Sequence, residues 1–151
     1  MKILASAIAI LASVGLAASA SAASLTPANG AFTGAGAMSL SNKDSLTIPC
    51  TANFTGHTTA GVGTIDYANF SGNGVCAMII KNGTWTVNAT GSGTATITGV
   101  AFLLGGVACG PATINVAVSS GGLITFSNQA LNANCIISGS VQTSPVVNAI
   151  P

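Results

Sequence analysis

The chain has no arginine and no glutamate, and in 151 residues it carries only three lysines, two aspartates and one histidine. A nucleic-acid partner requires clustered Lys or Arg to displace counterions from phosphates, so that class is excluded. Docking on anionic lipid through a polybasic patch is excluded on the same ground. Aromatic rings are also scarce: one Trp and one Tyr are little material for stacking on sugars. Closely spaced cysteine pairs of the kind that hold structural zinc are missing, and one His cannot complete a site. Gly34 and Gly36 lack the strand, glycine turn and helix context of a phosphate loop. No cofactor and no metal are therefore expected.

Helical periodicity is missing too. Beyond the first two dozen residues, no window keeps apolar residues at i, i+3, i+4 and i+7 without Gly, Thr or Asn breaking it. Titratable groups for acid–base chemistry reduce to His57, Asp44, Asp66, Tyr67 and two lysines. Asp44 beside Lys43 reads as an exposed turn. Asp66 reads as a strand residue pairing across the sheet with Lys81. His57 has no nucleophile motif such as G-x-S-x-G to serve, so no catalytic residue is assigned and the chain is not expected to be an enzyme.

What is present begins with an export signal. Lys2 precedes an apolar run from Ile3 to Leu16 and a small-residue tail ending at Ala22, the plan of a secretory signal peptide. The run is too short, at about 14 residues, to span a bilayer. Residues 1–22 are expected to be removed and 23–151 to form one domain. That segment has two positive and two negative side chains: Lys43, Asp44, Asp66 and Lys81.

Alternation then dominates. Phe32, Gly34, Gly36, Met38 and Leu40 share one face, as do Leu46, Ile48 and Cys50 further on. Ile65 and Tyr67 fall on one side of a strand from Thr64 to Phe70. Asn82-Gly83 separates Cys76–Ile80 from Thr84–Ala89, the pattern of a two-residue hairpin, with Trp85, Val87 and Ala89 inward. Ala95 and Ile97 precede a continuous apolar run to Leu104, and Ile114, Val116 and Val118 alternate after Cys109-Gly110-Pro111. About ten short strands with turn signals between them predict an all-β antiparallel sandwich or jelly roll.

Four cysteines in an exported chain predict two disulfides. Cys50 to Cys76 and Cys109 to Cys135 share C-x25-C spacing, and superposing the two loops aligns Ile65 with Ile124 and Tyr67 with Phe126. An internal duplication, about 46–90 and 105–145, is one expectation from this. A repeated unit carrying its own bridge favours Cys50–Cys76 and Cys109–Cys135. The pairing Cys50–Cys109 with Cys76–Cys135 also respects the repeat. A closed loop of this size stabilises by roughly 3–4 kcal/mol.

Three segments carry a family resemblance: Ser45–Gly56 (SLTIPCTANFTG), Cys109-Gly110-Pro111, and Cys135–Pro145 (CIISGSVQTSP). In these the chain resembles the bacterial protein activator of alkane oxidation family. The resemblance implies a small secreted protein at the cell surface or outside it, aiding contact with or dispersal of a hydrocarbon or lipid rather than oxidising it. Only the cysteines carry across as shared landmarks. The near absence of charge is compatible with that, and with self-association, because sheet edges are normally guarded by lysine. The alternative reading is a subunit of an extracellular filament or biofilm matrix built by strand addition. Its candidate donated strands are Ala31–Leu40, with Phe32, Met38 and Leu40, and Val146–Ile150, with Val146, Val147 and Ile150.

Overall fold

The computed structural model describes residues 22–42 and 46–151. The expected signal peptide up to residue 21 and the Lys43-Asp44 turn lie outside the described residues. Eleven strands follow in order among the described residues: β1 (Ser24–Thr26), β2 (Gly30–Asn42), β3 (Thr47–Thr59), β4 (Val62–Gly72), β5 (Ile79–Asn82), β6 (Trp85–Gly91), β7 (Thr94–Leu104), β8 (Val107–Val118), β9 (Leu123–Asn132), β10 (Cys135–Ser144) and β11 (Asn148–Ile150). A 3-10 turn, Cys76–Met78, leads into β5.

The long strands pair antiparallel in the ring order β2-β3-β4-β6-β7-β8-β9-β10, and β10 returns to β2. The expected sandwich or jelly roll is thus replaced by a closed eight-strand barrel with β5 as an extra strand. Closure leaves few free edges, which suits a chain with almost no charged residues to guard them. The strands also run longer than the turn signals imply. The Thr-rich stretch Thr51–Thr59 continues β3, burying Ala52, Phe54, Gly56 and Thr58 at every second position. Thr51, Thr55 and Thr59 take the outward places, where β-branched hydroxyl residues favour a pleated sheet.

Two local expectations change. β5 and β6 do not form a hairpin with each other: both pair with β7, Ile79↔Leu104 to Asn82↔Ala101 and then Thr86↔Thr98 to Ala89↔Ala95. They occupy one ring position in succession, and Gly83, at φ +68°, makes a kink between them. A positive-φ glycine serves a bulge as readily as a turn, so the Asn-Gly pair alone does not decide. Secondly, β4 bulges where Thr55↔Tyr67 gives way to Gly56↔Ile65. The additional residue, Asp66, shifts the alternation, so Ile65 is buried while Asp66 and Tyr67 both face outward.

Inside, Phe32, Phe54, Phe70, Trp85, Phe102 and Phe126 fill the barrel. Phe102 stands edge-on to Trp85 and Phe70, at centroid distances of 4.9 and 5.4 Å. One end is closed by the β1–β11 ribbon, which buries Leu25 and Ala149, together with Val147 just before it. Two buried threonines fasten that cap. Thr58 Oγ1 donates to the Pro27 carbonyl at 2.8 Å, while Thr143 Oγ1 donates to the Gly122 carbonyl and accepts from the Val147 amide, both at 2.9 Å.

Towards the opposite end the ring is incomplete as a hydrogen-bonded ladder. β4 pairs with β6 only through Gly63–Ile65, and its remainder has no ladder to β5. β8 pairs with β9 only at Ala117 and Val118. Beyond those points β9-β10-β2-β3-β4 faces β5-β7-β8. One disulfide crosses each gap: Cys50 on β3 joins Cys76, just before β5, and Cys109 on β8 joins Cys135 on β10. Side chains bridge the second gap as well, since the Asn115 amide donates to Gln129 Oε1 (2.9 Å) and Asn132 Nδ2 donates to the Ala108 carbonyl (3.1 Å).

Candidate functional site

An eight-strand barrel is wide enough either to be filled by side chains or to hold one small ligand. Here the apolar interior retains a cavity of about 40 Å³, bordered by Phe32, Phe54, Trp85 and Phe126. Cavities that hold benzene are roughly 150 Å³. The interior is therefore a core and not a store for hydrocarbon. The wall reverses the plan of a transmembrane barrel, which turns an apolar band outward. Outward positions on β3, β4, β8 and β9 include Thr51, Asn53, Thr55, Asn69, Thr113, Asn115, Thr125 and Ser127.

His57 and Asp66 meet on this wall. Nδ1 lies 2.8 Å from Oδ2, and both side chains are about half exposed, at 47% and 49%. His57 pairs with Thr64, and alternation from the buried Ile65 turns Asp66 outward on the same face, next to the imidazole. Lys81 is not the partner of Asp66. Its ammonium donates to the Gly83 carbonyl at 2.5 Å and lies 5.2 Å from the centre of the Trp85 ring. Partial burial pulls Lys81 below the usual lysine range, with the nearby Asp66 carboxylate acting in the opposite direction. A base held by a carboxylate needs a nucleophile on its other nitrogen. Among the described residues no Ser or Thr hydroxyl hydrogen-bonds His57, and the pair lies in an open groove rather than an enclosed cleft.

The disulfide-clamped end carries a different surface. Val107 is 65% exposed, Leu46 and Ile80 60%, Met78 52% and Val75 40%. The pieces adjoin one another: Val107 pairs with Leu104, Leu104 borders a small hollow with Leu46, and the Gly105 amide donates to the Met78 carbonyl. Alternation placed Leu46 inward with Ile48 and Cys50, but it precedes β3 and is exposed. The sequence signal for the rest was weak, since Val107 follows a glycine pair and Met78 lies in a 3-10 turn with no period to read. The candidate donated strands are both occupied within the chain. β2 pairs on both sides, with β3 and β10, burying Phe32, Met38 and Leu40. β11 pairs with β1, with Val147 buried and Val146 and Ile150 each 43% exposed.

These features define a class: a disulfide-clamped antiparallel barrel with an apolar core, a polar wall and its most exposed apolar side chains at the clamped end. The chain belongs to the alkane oxidation protein activator PraA/PraB-like family, whose model matches residues 1–151. Nothing among curated proteins or solved structures matches it. The family is named for activation and not for catalysis. Two disulfides accord with an extracellular or periplasmic setting.

Proposed function

We propose that this is a secreted, non-enzymatic surface-active protein whose clamped end contacts the hydrophobic substrate that family membership points to. The observation that carries the reading is the apolar rim of Leu46, Val75, Met78, Ile80 and Val107 at that end. Transferring five half-exposed side chains from water to oil favours adsorption by roughly 1 kcal/mol each. Ordinary surfaces offset such a gain by desolvating charges. Here the described residues contain only Asp66 and Lys81 as charged side chains, one of each sign. A filled core and two cystines favour adsorption of the folded barrel over spreading of an unfolded chain. The filament reading has less support, because both candidate donor strands are already paired and donation would require opening the barrel.

Interfacial tension of the purified protein against hexadecane tests this. The intact protein is expected to lower it, and the triple variant Met78→Ser, Ile80→Ser, Val107→Ser to lose most of the effect while keeping its melting temperature. Equal activity of the two proteins would remove the clamped end from the mechanism, and an unchanged tension with the intact protein would remove the reading itself.

A further inference from the structure

Among the described residues, all titratable side chains other than cysteine gather in one place: His57 on β3, Asp66 and Tyr67 on β4, and Lys81 on β5. The rest of the wall is almost wholly Ser, Thr, Asn, Gln, Gly and Ala. Tyr67 is 58% exposed, whereas every described Phe and Trp ring is buried. The bulge that turns Asp66 and Tyr67 outward together is the kind of irregularity that re-aims side chains at functional sites. It also separates two furrows. One, of about 520 Å³, carries Thr33, Thr55, His57, Asp66 and Ser144. The other, of about 290 Å³ along the β4–β5 gap, carries Tyr67, Asn69 and Ile80.

We propose that this wall binds an uncharged polysaccharide, with the Tyr67 ring as the platform for a sugar face and Asp66, His57, Asn53 and Asn69 as partners for its hydroxyls. Three observations select that chemistry. The patch balances one carboxylate against one ammonium, and the ammonium is already engaged by the Gly83 carbonyl, so nothing on it draws a polyanion. Its groups come in pairs suited to neighbouring hydroxyls. Asn53 and Asn69 stand opposite each other on β3 and β4, and Asp66 accepts from His57 through Oδ2 while Oδ1 makes no hydrogen bond among the described residues. Neither the Tyr67 hydroxyl nor the two asparagine amides hydrogen-bond within the described protein, so they are available without breaking anything. The surface is an open wall with shallow furrows, which suits a chain lying across the strands better than a single enclosed sugar.

This inference does not rest on the hydrocarbon reading: the apolar rim lies at the barrel end and the platform on its side, and the two surfaces meet at Ile80. Depletion isotherms of the intact protein on insoluble cellulose, chitin and β-1,3-glucan, with calcium alginate beads as a polyanionic control, provide the test. Saturable binding to at least one of the neutral polymers is expected. Tyr67→Ala is expected to weaken it about three- to tenfold, the range of one aromatic contact. Tyr67→Phe keeps the ring and is expected to bind nearly as the parent does. The double variant Met78→Ser, Val107→Ser, which leaves the furrow residue Ile80 in place, is expected to bind unchanged, which separates this site from adsorption through the apolar end. No binding to any neutral polymer, binding to alginate alone, or binding indifferent to Tyr67→Ala would each overturn the proposal.

Discussion

Replacing Cys109 and Cys135 by alanine removes the covalent tie across a gap where β8 and β9 share a ladder at only two residue pairs. The cystine encloses a sequence separation of 26, for which chain entropy gives about 3.5 kcal/mol at room temperature. In a domain of this size that corresponds to roughly 10–15 °C in melting temperature. Small domains hold only about 5–15 kcal/mol in total, so losing both cystines is expected to leave little or no folded protein. The structure further says where the weakening should appear. With no backbone ladder between Val107 and Val116 on the β9 side, the freed segment is held there by side-chain bridges from Gln129 and Asn132. Hydrogen exchange is the suitable assay. In the Cys109→Ala, Cys135→Ala protein, amides of β8 and the end of β9 are expected to exchange faster well before those of β2 and β3. The Cys50→Ala, Cys76→Ala protein is expected to loosen β5 instead. Uniform acceleration across the barrel, or a loss below about 1 kcal/mol, would refute the idea that each cystine clamps one open seam.

Gly36→Ala is expected to destabilise severely, because a Cβ there would overlap the Ser140 carbonyl oxygen and come within 2.8 Å of Val141 Cα, while Gly74→Ala, with open space around it, should be close to neutral. Urea midpoints of the two variants read this directly. A pH effect is expected from Lys81, whose pKa is lowered in the folded state mainly by burial. The unfolded chain then binds more protons just below the ordinary lysine value of 10.5, so stability should rise as pH climbs towards it. Lys81→Met is expected to remove that slope in thermal melts recorded across the alkaline range.

Strand content and facing were largely legible because period two survives wherever a ladder is regular. Phe32, Met38 and Leu40, or Ile114, Val116 and Val118, take the buried positions that alternation gives them. Legibility failed at the irregularities. One additional residue at Asp66 turns Tyr67 from the core to the wall, and nothing local in Ile65-Asp66-Tyr67 announces it, since the bulge is set by register against β3. Asn82-Gly83 failed for the converse reason: the local signal was strong, but β7 offered a longer partner to both flanking segments than they offered each other.

By itself the sequence determined the all-β character and the shortage of charge, because composition and period are properties of the chain alone. Only the tertiary structure decided that the sheet closes on itself, that each cystine bridges an open seam, and that a tyrosine, an imidazole and a carboxylate share one wall. Those are outcomes of register and closure among strands far apart in the chain, where a shift of one residue exchanges inside for outside.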